Sequence, residues 1–182
     1  MKFTLREILL TVLVFVLIFV GIRLTVHSYK VHLSSMLPSF EDGEYILVNK
    51  VSYHFHAPHR GDVVVFHTKG ISGLNPSNVD ELYIKRVIGL PGETVEIKNG
   101  AVYINGTALK EPDYIPALTS FQMSAVTVPP DNYFVLGDNR NGSLDSRYGW
   151  TVPRGNIVGK TWLAYWPPSD WGLSPKYSWA LA

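Results

Sequence analysis

From Ile8 to Ile22 the chain reads ILLTVLVFVLIFVGI, with no charge and Thr11 as its only polar side chain. Apolar residues on every face of a helix suit lipid better than one packed side. As a helix the run spans roughly 22 Å at about 1.5 Å per residue, against a bilayer core of about 30 Å. Extension to Leu24–Val26 brings it close to that length if Arg23 carries its guanidinium to the headgroups. The expectation is an uncleaved membrane anchor over residues 1–30. A cleaved signal peptide competes with it, because Lys2 and Arg6 form a basic region before the apolar run. Residues 23–29, RLTVHSY, offer no small-x-small cleavage site.

After residue 30 the pattern changes to short alternating or apolar runs between turn signals. Strands are predicted at Tyr45–Lys50, Asp62–His67, Glu81–Gly89, Thr94–Lys98, Ala101–Ile104, Tyr133–Leu136 and Ile157–Trp166, all rich in Val, Ile, Tyr, Phe or Trp. Lys98-Asn99-Gly100-Ala101 predicts a hairpin, since Asn-Gly suits a type I′ turn. Ile71–Asp80 and Lys110–Thr127 read as loops or an irregular insertion, and no long amphipathic helix follows the anchor. The fold class expected is mainly β. An N-terminal transmembrane helix leads into an antiparallel, partly closed barrel over residues 31–182, with a small hairpin insertion near 93–128.

Composition narrows the function. The 182 residues suit one modest domain, and 46% hydrophobic against 17% charged residues excludes whole-chain disorder. The absence of Cys removes disulfides, thiolate metal sites and Cys nucleophiles. A net charge of +1 without a basic run argues against nucleic acid. Residues 1–30 carry four basic side chains and one acidic, but Lys2 and Arg6 before the span balance Arg23 and Lys30 after it. Charge therefore leaves the orientation open. His54, His56 and His59 lie in HFHAPH, with no matching His-Glu motif elsewhere, and read as a solvated loop and not as a metal site. All five Trp fall at or after position 150; headgroup contact and core packing explain Trp162 and Trp166 equally well.

Three segments concentrate constrained polar residues: Ser34–Pro38, Tyr83–Gly92 and Gly137–Arg147. In the second, Lys85 and Arg86 interrupt an apolar strand, and alternation sends them to opposite faces. Either one of them faces the apolar interior or the strand is an edge. A desolvated Lys favours its neutral amine, a usable general base for a Ser hydroxyl. An edge-strand Lys that discourages aggregation is the plainer alternative.

Ser35-Met36-x-Pro38, Arg60–Phe66, Tyr83–Glu93 and Gly137-Asp138-Asn139-Arg140 through Ser143-x-Asp145-Ser146-Arg147, in this order after an apolar N-terminus, resemble the boxes of bacterial type I signal peptidases. The resemblance runs to about Trp166 and suits the short, single-span form. It implies a serine endopeptidase that removes signal peptides from exported preproteins after Ala-x-Ala-type sites. Ser35 would be the nucleophile, Lys85 the general base and Ser143 the hydroxyl that orients the lysine. Asp145 and Arg147 would support the loop as a pair, and Asp138 would be a structural acid. Val31, Met36, Leu82, Tyr83 and Ile84 would wall the substrate pockets. No cofactor or metal is implied. The partners would be signal peptides and the lipid bilayer, and the catalytic domain would sit on the extracytoplasmic side of the plasma membrane. Leu33 departs from the family, where some members place an oxyanion-stabilising Ser two residues before the nucleophile; Leu cannot donate a hydrogen bond. Ser39-Phe40 replaces the usual Thr-Leu. The alternative is a non-catalytic, membrane-anchored module that binds extended peptides.

Overall fold

The computed structural model describes residues 4–32, 34–74, 79–112, 115, 121–174 and 180–181, without the side chains of 22, 24, 180 and 181. Leu33 and Trp179 lie outside them. The apolar N-terminal run forms helix α1 (Leu5–Thr25). The large apolar side chains from Leu5 to Val20 are each at least 44% exposed, so this helix packs no side of itself on the β domain. Among the described residues no helix is long and apolar enough to cross a membrane; the described side chains of α1 run unbroken only to Gly21. The expected transmembrane span is thus not established by length and hydropathy. The helix stops at Thr25, and Val26–Lys30 forms strand β1 instead of prolonging it.

The remaining elements are β2 (Tyr45–Asn49), the short α2 (Ser52–Phe55), β3 (Val63–His67), β4 (Leu82–Gly89), β5 (Thr94–Lys98), β6 (Ala101–Ile104), β7 (Thr107–Lys110), β8 (Met123–Thr127), β9 (Asn132–Leu136), β10 (Val152–Pro153), β11 (Ile157–Trp166), β12 (Gly172–Leu173) and β13 (Ala180–Leu181). Among the described residues they form two antiparallel sheets. The larger runs β1-β2-β11-β3-β4-β9-β10, with β12 on β11; the smaller runs β13-β7-β6-β5-β8. The larger sheet ends at β1 and β10, which do not pair with each other, so the expected partial barrel closure is replaced by an open sheet. With two residues, β10 offers little ladder to close on.

Each of the seven predicted strands is present to within one residue at either end. Asn99 and Gly100 have φ of 52° and 79°, as the predicted I′ hairpin needs. Asn105 and Gly106 repeat the device at 51° and 81°, closing the β6–β7 hairpin. The predicted loop Lys110–Thr127 contains β8, whose edge position leaves four of its five residues exposed. A strand with so little burial shows little of the hydrophobic pattern by which strands are recognised.

Three apolar clusters hold the sheets. Val31, Met36, Phe40, Ile46, Val48, Val63, Val65 and Ile84 pack under the chain entering the domain. Val64, Phe66, Val87, Tyr133, Val135 and Trp150 form a second cluster. Ile88, Phe134 and Leu136 meet Val95, Ile97, Val102, Ile104 and Leu109 in the third, which joins the two sheets. Gly89 stands at that junction, where a Cβ would fall 2.6 Å from Val95 and 2.9 Å from Phe134. Trp162, Trp166 and Trp171 are all more than half exposed, so core packing does not account for them.

Candidate active site

Strand β4 is flanked differently along its length. β3 pairs with it from Leu82 to Arg86, whereas β9 pairs only from Arg86 to Gly89. Lys85 is the last residue before the second neighbour begins, so both sequence readings of it hold in part. One edge of the strand is open there, yet the side chain is 4% exposed and no solvated guard. The chain leaving β9 turns past this edge as residues 137–147.

The segment Ser34–Phe40, which follows the described Val31 and His32, meets the same edge. Asn139 N donates to Ser35 O at 3.1 Å, and Asn139 Nδ2 to Ser34 O at 3.0 Å. Ser35 Oγ lies 2.7 Å from Lys85 Nζ, which also donates to Ile84 O at 2.9 Å. Burial lowers the Lys85 pKa to about 8, against the pull of Asp145 and Asp138, which favour the cation. The Tyr83 ring centroid lies 5.5 Å from the amine.

Two buried ion pairs fix the surrounding loop. Arg86 donates from Nε to Asp138 Oδ1 at 2.7 Å and from Nη2 to Oδ2 at 2.5 Å, with both side chains fully buried. Ser39 Oγ donates to the same carboxylate at 2.5 Å, so the hydroxyl at this departure from the family pattern has a use. Arg147 grips Asp145 through Nε and Nη2 at 2.7 and 2.8 Å, and Asp145 Oδ2 accepts from Gly137 N at 3.0 Å. Bidentate guanidinium–carboxylate geometry of this kind combines strength with a fixed direction. Arg86 stands in the predicted strand but was given no role; its signal was a second cation inside an apolar run. Asn139, Arg140 and Glu111 were also missed, and nothing local marks Glu111.

Gly137 explains why glycine opens this loop. A Cβ there would fall 2.2 Å from Ser143 Oγ and 2.4 Å from Ser35 O. Gly137→Ala is therefore expected to move the Ser35 backbone and reduce turnover by about 10²-fold, as misplacement of a reacting group by an ångström does. Activity recovered at wild-type level in a folded variant would contradict this packing. Ser143 Oγ, buried against this point, has no hydrogen-bond partner among the described residues, and the expected contact with Lys85 is not made.

A groove of about 830 Å³ opens beside Ser35 and Lys85. Val31, Leu82, Tyr83 and Ile84 line it, as the sequence suggested, and Leu144 adds a wall the sequence did not suggest. Met36 does not line it; this side chain is fully buried in the cluster with Phe40 and Ile46. The turn over Ser35–Ser39 carries this side chain inward, away from the groove that an extended Val31–Met36 segment would have walled.

A serine hydroxyl beside a desolvated amine, on an antiparallel scaffold, is compatible with the chemistry of a serine hydrolase. Residues 5–166 match the family model "Signal peptidase, peptidase S26", and the chain belongs to that family of serine peptidases. A signal peptidase I of Leptolyngbya laminosa is 47% identical over 147 residues, covering 79% of this chain and 71% of its own. A signal peptidase IB of Staphylococcus aureus (strain Mu50 / ATCC 700699) is 35% identical over 188 residues, covering 93% and 94%. A crystal structure of a signal peptidase I from Enterococcus faecalis V583 aligns with a TM-score of 0.45 at 35% identity, covering 58% of this chain and 97% of that one.

Proposed function

We propose that this protein removes N-terminal signal peptides from exported preproteins, cutting after Ala-x-Ala-type sites with Ser35 as nucleophile and Lys85 as general base. The 2.7 Å contact between Ser35 Oγ and a buried Lys85 Nζ carries this reading. With the amine neutral, the Ser35 hydroxyl donates to its lone pair. Ser35 Oγ attacks the carbonyl carbon of the last signal-peptide residue while its proton passes to Nζ. The tetrahedral intermediate expels the amine of the mature chain, which takes that proton from Lys85. Lys85 then removes a proton from water as the water attacks the ester, and Ser35 leaves with the proton restored. We assign Ser143 the lysine-orienting role on the resemblance alone; its hydroxyl is buried beside Gly137 and makes no hydrogen bond to Lys85 in this structure. Asp138, Asp145 and Arg147 hold the loop rather than touch substrate.

The substrate lies extended along the unpaired edge of Leu82–Ile84, taking backbone hydrogen bonds there and presenting alternate side chains to the groove. Tyr83 and Leu144 narrow that groove, which favours small residues at the alternate positions. Residues 1–30 act as a single-pass anchor and 31–182 as the peptidase domain on the extracytoplasmic side of the plasma membrane. The exposure of apolar residues around α1 supports lipid as their surroundings. Trp162, Trp166 and Trp171 are then available to the headgroup layer.

The test is cleavage of a labelled precursor with an Ala-x-Ala site, in detergent or liposomes, across pH. Lys85 must be neutral to act, so its lowered pKa sets the acid limb. kcat/KM is expected to rise with pH through an apparent pKa of about 8 and to stand at about one tenth of its plateau at pH 7. Activity independent of pH between 6 and 9, or no cleavage by folded protein, would remove Lys85 from the role of base.

A further inference from the structure

We propose that Glu111 is a positioning residue for the Ser35–Lys85 site, acting through Arg140; the inference rests on the function proposed above. Glu111 lies outside every motif of the resemblance and follows β7 of the smaller sheet. Its carboxylate reaches the catalytic loop, where Arg140 Nη1 lies 2.6 Å from Oε1 and 2.8 Å from Oε2. The Arg140 side chain is fully buried, so without Glu111 its charge would stand uncompensated in the interior.

Arg140 is also the point where the loop is tied together. Its Nε donates to Gly137 O at 3.0 Å, and its N donates to Asp138 O at 2.9 Å. Its own carbonyl accepts from Arg147 Nη1 at 2.6 Å. Gly137 is the residue that abuts the Ser35 carbonyl and the Ser143 hydroxyl. The chain of contacts thus runs from the smaller sheet through Glu111, Arg140 and Gly137 to the nucleophile. Asp138 and Asp145 find their guanidinium partners, Arg86 and Arg147, within the family motifs. Arg140 takes its carboxylate from a residue that no motif contains. Three of the groove walls, Leu82, Tyr83 and Ile84, stand on β4, and none of these contacts passes through them, whereas Leu144 is carried by the loop itself. Loss of Glu111 therefore disturbs the alignment of Ser35 and Ser143 and leaves the β4 side of the groove in place.

The experiment compares full-length wild type, Glu111→Ala, Glu111→Gln and Lys85→Ala on the labelled precursor in detergent, with circular-dichroism melts alongside. Wild type cleaving and Lys85→Ala failing secures the parent reading, so an unaffected Glu111→Ala would then overturn only this inference. kcat is expected to fall about tenfold or more in Glu111→Ala, with KM within about twofold of wild type. Glu111→Gln keeps an acceptor for Arg140 Nη1 and is expected to recover part of the loss at unchanged KM. In an Arg140→Met background Glu111→Ala should change kcat by less than about twofold, because the path is already cut. A rise in KM alone, or independent effects of the two substitutions on kcat, would overturn the proposal. If Glu111→Ala does not fold, Glu111→Gln decides: wild-type kcat in that variant refutes the role, and a lowered kcat at unchanged KM upholds it.

Discussion

Lys85→Met is expected to lower kcat for precursor cleavage on the order of 10⁴-fold, with the folded structure retained. Methionine fills much of the same buried volume but has no lone pair basic enough to take the Ser35 proton. The site has already excluded water from this amine, which is 4% exposed, so solvent has poor access to replace it as base. Ser35→Ala should cost a similar factor, and the double substitution little more than either alone, because the two side chains act as one unit. Single-turnover cleavage of the labelled precursor measures these losses. The melting temperature of Lys85→Met should not fall, since a buried amine that resists protonation is replaced by an apolar chain. Cleavage within about tenfold of wild type in either single variant would remove the dyad from the mechanism.

Asp138→Ala is expected to have the second largest effect, and it acts on stability. Arg86 and Asp138 are both fully buried and make two direct hydrogen bonds. Removal of the carboxylate leaves a guanidinium in the interior with only partial compensation, from Gly61 O at 2.8 Å and Ser39 Oγ at 3.4 Å among its contacts. Breaking a buried pair in this way costs about 3–5 kcal/mol, which lowers the melting temperature by roughly 6–20 °C for a chain of this size. Arg86→Met combined with Asp138→Leu should regain most of that stability, since the penalty lies in the unpaired charge and not in the loss of the pair itself. Thermal melts of the single and double variants test this. A double variant as unstable as Asp138→Ala would mean that the pair contributes by its geometry. Activity of the double variant remains low in either case, because Asp138 also accepts from Ser39, four residues after the nucleophile.

Local chemistry wrote much of the fold. The seven strands are legible because each has β-branched or aromatic residues between turn signals, and Asn99-Gly100 names its own turn. The four motifs, in order, single out Ser35 and Lys85 as candidates, and the fold brings the two side chains within 2.7 Å. The strands without a clear sequence signal fall into three kinds. β7 and β8 carry few buried residues, and β10, β12 and β13 have two residues each, too few for a period. β1 was hidden by the apolar run that precedes it.

What the amino-acid sequence determined by itself is the seven predicted strands, the family and its motifs, and with them the candidate reacting groups, since propensity, turn chemistry and motif order are all local properties. Tertiary structure alone decided that the larger sheet stays open, because closure depends on whether the distant edges β1 and β10 can meet. It decided as well that Met36 faces the core and that Lys85 is buried where, among the described residues, β9 does not yet pair with β4. The partners of Arg86 and Arg140 belong to the same class, whereas Arg147 meets Asp145 only two residues away. Arg86 and Asp138 are 52 residues apart in the chain, and Arg140 and Glu111 are 29 apart. Charge compensation in a buried site depends on distance in space, and no local pattern in a single chain encodes which carboxylate a guanidinium will meet across tens of residues.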